Sequence, residues 1–279
     1  MHQLELSKVS AGYGRSEVLH EVTFQTLEPS IYVVLGPNGA GKTTLFRTIA
    51  GILRPRSGRI IFDGKNMADD VDLRKSINYL SHFNALPEEM TVYEALQFYQ
   101  KIEGGDIEHV IDELDLSELR RKKIADLSQG QRKRVSIAKV FLCERNLYLL
   151  DEPTTSLDPR AAREIRELLT GLAREKVVLY SSHNLYEARE VGSFLILLRD
   201  GYVKFFDKIS NLKPKKYRYG IKTATDISQM INADIEGGYY VVRVNSPEEA
   251  GKILTDLVQR GVVVTEMREL DNPLEELFE

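Results

Sequence analysis

The period of the apolar positions changes repeatedly along this chain, and each change marks an element. Leu4-Glu-Leu-Ser-Lys-Val-Ser and Val18-Leu-His-Glu-Val-Thr-Phe24 alternate polar and apolar residues, which predicts half-buried strands joined through Gly12-Tyr13-Gly14. Ile31-Tyr-Val-Val-Leu35, Leu147-Tyr-Leu-Leu150 and Val177-Val-Leu-Tyr180 are short and continuously apolar, the pattern of strands buried on both faces. Ile165, Leu168, Leu169 and Leu172 recur with helical period between the last two, predicting a right-handed β-α-β crossover. Gly58-Arg-Ile-Ile-Phe-Asp-Gly64 reads as a strand entering an Asp-Gly turn, and Phe194 to Phe206 as two strands around another. From about Ala85 to Glu144 the spacing becomes helical, with Ile107, Val110, Ile111 and Leu114 on one face, so a helical subdomain is expected there.

The pattern starts afresh beyond residue 212. Lys213-Pro-Lys-Lys216 reads as a linker. Tyr239 to Val244 predicts a strand, and Ser246-Pro-Glu-Glu249 supplies cap, first-turn proline and acidic first turn for a helix that Gly261 ends. Val262 to Glu266 predicts another strand. The expected organisation is a mixed α/β domain over 1–212 and a small α/β domain over 213–279 without a metal cluster or nucleophile pattern, fit for packing or dimer support.

Composition narrows the classes. Of 279 residues, 29% are charged, and no apolar run approaches the roughly 18–20 residues of a membrane span. The opening Met1-His-Gln-Leu-Glu predicts no signal peptide. The single Cys143 excludes an internal disulfide, suits a reducing compartment, and falls in a helical pattern as a small core residue. A net charge of −4 argues against nucleic acid as partner.

The chemistry begins after the run ending at Leu35. Gly36-Pro37-Asn38-Gly39-Ala40-Gly41-Lys42-Thr43-Thr44 fits G-x-x-x-x-G-K-[ST] between a strand and a helix, the context that pattern requires. Glycines turn consecutive amides inward, and the helix N-terminus adds positive potential where phosphates sit. Lys42 is expected at the β- and γ-phosphates, with the Thr43 hydroxyl as a Mg²⁺ ligand.

Further stretches, in order, resemble the ABC transporter ATPase family over about residues 1–212. Leu127-Ser128-Gln129-Gly130-Gln131 resembles its signature, with Gln129 where the common motif has glycine. Leu147 to Pro153 resembles a Walker B strand, Ser156-Leu-Asp158 a D-loop, and His183 the switch histidine. The resemblance implies a P-loop ABC cassette with an antiparallel β subdomain. It also implies ATP stacked on Tyr13, Mg²⁺ on Thr43 and Asp151, and Glu152 acting on the attacking water. His183 would contact the γ-phosphate, and Asp158 would communicate across a subunit interface. Ser128 would both cap its helix and meet nucleotide held by a second subunit. At the family's Q-loop position stands His82, either a pH-sensitive ligand to water or metal, or a loop residue whose role passes to water; the second is favoured because imidazole suits Mg²⁺ poorly. Arg120-Arg-Lys-Lys123 reads as a solvated run, with contact to a membrane partner or acidic lipid as the alternative.

Asn272-Pro-Leu-Glu-Glu-Leu-Phe278 resembles the closing segment of domains appended to exporter-type cassettes. The expected protein is therefore the ATP-hydrolysing subunit of a transporter, exporting through a separate membrane permease, peripheral on the cytoplasmic face of the membrane, and dimeric with itself or a paralogue. Two alternatives stand beside it: a cytosolic ABC ATPase acting on ribosomes or DNA, and a regulatory cassette that binds ATP without hydrolysing it.

Overall fold

The computed structural model describes residues 2–82, 85–212 and 217–270; the linker expected at Lys213 to Lys216 and the segment Asn272 to Phe278 lie outside these. The chain divides into two units, Met1–Ile209 and Ser210–Glu279.

The first unit opens with β1 (Leu4–Tyr13) and β2 (Ser16–Gln25), then β3 (Ser30–Leu35) and α1 (Lys42–Ile49). The strands β4 (Ser57–Phe62), β5 (Lys65–Asn66) and β6 (Ile77–Leu80) follow. Three helices come next: α2 (Val92–Glu103), α3 (Ile107–Glu113) and α4 (Gln129–Phe141). The unit closes with β7 (Leu147–Asp151), α5 (Pro159–Leu172), β8 (Val177–Ser182), α6 (Leu185–Val191), β9 (Phe194–Arg199) and β10 (Tyr202–Lys208).

Its strands form two sheets. One is antiparallel, in the order β2-β1-β4-β5; the other runs β10-β9-β3-β8-β7-β6, parallel throughout except for β10. Every residue of β7 and β8 is buried, as the apolar runs Leu147 to Leu150 and Val177 to Tyr180 require, and so are the polar residues Asp151, Ser181 and Ser182 that end them. One core joins the sheets, with Leu4, Leu6 and Phe62 of the first meeting Val34, Leu149 and Ile196 of the second. Tyr32 stacks on Phe194 at 4.6 Å, and its hydroxyl accepts from the Leu27 and Glu28 amides and donates to the Glu28 carbonyl. The buried ring thus leaves no polar atom unpaired.

The helices α2, α3 and α4 contact one another, and α4 also reaches β6. Thr91 with Glu94 and Ser128 with Gln131 form capping boxes that start α2 and α4. In the basic run, Arg120 makes a bidentate pair with Glu108 and lies 4.1 Å from the Tyr93 ring centroid, so it joins the surface rather than standing free.

Two local expectations change. The β1–β2 turn falls at Gly14-Arg15, because Gly12 and Tyr13 are held in the ladder opposite Glu17 and Ser16. Cys143 lies beyond the end of α4 and is only partly buried, so it is not a helical core residue.

The second unit contains β11 (Tyr217–Thr223), β12 (Asp234–Glu236), β13 (Tyr239–Val244), α7 (Pro247–Gln259) and β14 (Val264–Glu269). Its sheet is antiparallel, ordered β12-β13-β11-β14. Ile221, Val242, Val244, Ala250 and Leu257 make its core. Ser246 accepts from the Glu249 amide with Pro247 in the first turn, and Gly261, at φ 81°, follows the helix end.

Leu149 is fully buried in β7, between β8 and the edge strand β6. Leu149→Ala is expected to cost about 2–5 kcal/mol through lost transfer energy and a residual cavity. It should lower the urea midpoint of the first unit's transition and leave the second unit's transition in place.

Candidate nucleotide site

The parallel register decides where the chemistry collects. Leu35 is opposite Ser182 and Asp151 is opposite Ser181, so the loops after β3, β7 and β8 leave the sheet at one edge. That is the carboxyl edge, where open α/β sheets bind ligands.

After β3 the chain wraps around Lys42. Gly39 and Gly41 have φ of 83° and 105°, in the left-handed region that a side chain penalises. A Cβ on Gly36 would stand 2.2 Å from the Leu198 carbonyl oxygen, so the backbone of β9 requires glycine there. Lys42 is buried and donates to the carbonyls of Gly36 at 2.7 Å and Pro37 at 3.1 Å. Burial pushes its pKa below that of an ordinary lysine, against the pull of Glu152 and Asp151. Ala40 packs into the core, while Asn38 and Gly39 are exposed at the cleft.

Asp151 is almost wholly buried and held on both oxygens. Thr43 Oγ1 donates to Oδ2 at 2.7 Å, and Ser181 Oγ donates to Oδ1 at 2.7 Å. The same Ser181 oxygen accepts from the Glu152 amide at 2.9 Å. One serine therefore fixes both consecutive acids.

Glu152 turns away from the strand with φ 48°. Its Oε1 lies 3.1 Å from His183 Nδ1, and its Oε2 accepts from Thr155 Oγ1 at 3.2 Å. Burial raises its pKa, but His183, Thr155 and Lys42 together outweigh that and hold it below the ordinary glutamate value. Behind this loop, Thr154 bonds the Tyr180 hydroxyl at 2.9 Å and Glu187, and Ser182 donates to Glu187 at 2.7 Å. Burial, reinforced by the Glu187 charge, raises the Tyr180 pKa, so the phenol stays protonated.

Lys42, Thr43, Thr44, Gly41, His82, Glu152 and His183 line one open cleft of 500 Å³. Ser128, Gln129, Gly130 and Gln131 line another, of 620 Å³, together with Ser156 and Asp158. The two clefts share no lining residue. Ser128 Oγ caps α4 by accepting from the Gln131 amide at 3.2 Å, and Asp158 caps α5 by accepting from the amides of Arg160 and Ala161. Tyr13 is 44% exposed, accepts from Arg47 at 3.1 Å, and stands outside the lining of the phosphate cleft.

Sequence reasoning passed over Ser181, Thr155 and Lys133. Ser181 carried a signal, the first of two consecutive serines that end an apolar run, whereas Lys133 is hidden between two arginines. The wrapped lysine, the acids at the strand edge and the parallel sheet define the class as a P-loop nucleotide-binding protein.

The family model for ABC transporters matches residues 19–155. The Nod factor export ATP-binding protein I of Rhizobium johnstonii is 36% identical over 207 residues, covering 71% of this chain and 67% of the relative. Bacitracin transport ATP-binding protein BcrA of Enterococcus faecalis is 27% identical over 99% of this chain and 94% of its own length. A solved ATP-binding subunit of an ABC transporter superposes with a TM-score of 0.68 at 30% identity, over 75% of this chain and 91% of that one. The chain belongs to the ATP-binding subunits of ABC transporters. It is accordingly an ATPase that powers transport, and no helix among its described residues is long and apolar enough to cross a membrane.

Ser181→Ala removes the donor to Asp151 and the acceptor for the Glu152 amide at a buried position. A loss of about 1–3 kcal/mol of stability is expected, read as a lower urea midpoint, together with a fall in ATP turnover.

Proposed function

We propose that this chain is the hydrolytic subunit of an exporter, working as a dimer against a separate permease on the cytoplasmic face of the membrane. The observation that carries the dimer is the separation of the phosphate cleft from the signature cleft within one chain. Ser128, Gln129, Gly130 and Gln131 of one copy would complete the site begun by Gly36 to Thr44 of another, either an identical chain or a paralogue. Asp158, in the signature cleft, would face the same junction. The Rhizobium relative is named for export, and that supports the direction.

Within the site, Lys42 exchanges its carbonyl partners for the β- and γ-phosphates, and Tyr13 offers a ring for the adenine. Thr43 and Asp151 would hold Mg²⁺, whose charge, when bound, neutralises the phosphates. The residues fit that ion: Thr43 Oγ1 and Asp151 Oδ2 are hard oxygens 2.7 Å apart, and nucleotide and water would supply the remaining ligands, as Mg²⁺ prefers. No cluster of three His, Cys, Asp or Glu among the described residues offers a competing cage. Glu152, kept ionised, orients and deprotonates the attacking water, and His183 bridges that carboxylate to the γ-phosphate. His82, on the wall of the cleft, carries the state of the site toward the helices and the permease.

Glu152→Gln should lower ATP turnover about 10²–10⁴-fold, the range for loss of a general base, while ATP binding survives. Tagged Glu152→Gln protein captured from native cells with Mg-ATP should bring down a multi-span membrane protein. Transport by that pair in oriented proteoliposomes then gives the direction. Recovery of ribosomes or DNA-repair factors without a membrane protein would sink the proposal.

A further inference from the structure

Lys133 turns inward from α4 and is 5% exposed, and Glu187, in the first turn of α6, has 14% of its side chain exposed. Of the two, it is Glu187 that hydrogen-bonds the loops carrying the catalytic groups. A glutamate at the third position of a helix commonly reaches back to the cap amide. Here that amide, of Asn184, donates instead to Ser182 Oγ at 2.9 Å, while Asn184 Oδ1 caps the helix by accepting from the amides of Tyr186 and Glu187. The Glu187 carboxylate is thereby left for another task.

Each of its oxygens closes one chain of hydrogen bonds. Ser182 Oγ accepts from the Asn184 amide and gives its own proton to Oε2 at 2.7 Å. Thr154 Oγ1 gives its single proton to Oε1, so in its 2.9 Å bond with Tyr180 the phenol is the donor. Arg166 of α5 stands 3.9 Å from Glu187 and is held in turn by Glu190 at 3.3 Å, which supplies the countercharge that a nearly buried carboxylate needs.

The two hydroxyls adjoin the groups that act. Thr154 precedes Thr155, which donates to Glu152 Oε2 at 3.2 Å, and Ser182 precedes His183, whose Nδ1 lies 3.1 Å from Glu152 Oε1. The loops after β7 and β8 therefore meet twice, in front where Glu152 faces His183 and behind at Glu187. The front contact includes a histidine side chain that is 56% exposed. The rear contact is nearly buried and made of charge-assisted bonds, the stronger kind, so it governs how the loops sit.

We propose that Glu187 is a positioning residue for hydrolysis, its two carboxylate oxygens holding the loops that carry Glu152 and His183 at the separation where those two side chains pair. This rests on the ATPase site proposed above. Glu187 touches neither nucleotide nor water. It acts through Thr154 on one side and Ser182 on the other, and loss of either oxygen frees one loop from the other.

The test compares Glu187→Ala and Glu187→Gln in the full chain, each alone and with His183→Ala, with ATP turnover, ATP binding and the urea midpoint measured separately. Glu187→Ala should lower kcat at least about 10-fold with KM for ATP changed less than about 3-fold, and Glu187→Gln, which keeps the volume and one acceptor oxygen, should recover part of that loss. With His183→Ala the pair no longer exists, so adding Glu187→Ala should lower kcat less than about 3-fold further. A folded Glu187→Ala variant with parental kcat, a fall matched by an equal loss of ATP binding, or an undiminished fall in the His183→Ala background overturns the inference. So does a folded Glu187→Gln variant as slow as Glu187→Ala. If Glu187→Ala does not fold, Glu187→Gln decides: kcat about 3-fold or more below parental with ATP binding intact is expected, and parental kcat overturns the inference. A parent chain whose turnover is insensitive to Glu152→Gln would instead overturn the hydrolytic site itself.

Discussion

The hydrogen bonds to Asp151 are the constraint on which the rest of the site depends. A carboxylate this deep in a protein is costly unless each oxygen is answered. Here the answers come from the first turn of α1 and the end of β8, at 2.7 Å each. The bonds therefore align three separate segments, and Ser181 passes the alignment on to Glu152 through its amide. The parallel register brings the segments to one edge, but the hydroxyls set their spacing.

Much of this was legible in the sequence because it is encoded locally. The strand–loop–helix around Lys42 and the acids after Leu150 are contiguous patterns whose local rules agree with the fold. The capping boxes at Thr91 and Ser128 likewise lie within four residues. What was not legible is encoded across distance. Arg132, Lys133 and Arg134 are alike in sequence, and only the phase of α4 against β6 turns the middle one inward. In the second unit, β12 is three exposed residues long and has no pattern of its own; pairing with β13 makes it a strand. The departure at Gly12-Tyr13 has the same origin, since the ladder opposite Ser16 and Glu17 overrides a local turn preference.

The separation of the clefts gives α4 and α5 a shared position. Ser128 caps one and Asp158 the other, and both caps line the same surface. A capping side chain satisfies orphan amides and so has little freedom to rotate. The signature surface is consequently a rigid rim presented by two helix starts. The cleft around Lys42 differs, since its lysine rests on loop carbonyls, partners that the proposed function has it exchange for phosphate.

Glu152 adopts a left-handed backbone that suits glycine far better than glutamate, a penalty of order 1–3 kcal/mol. In the role proposed for Glu152, robustness and turnover pull this position in opposite directions, because a residue that relaxes the turn also discards the carboxylate.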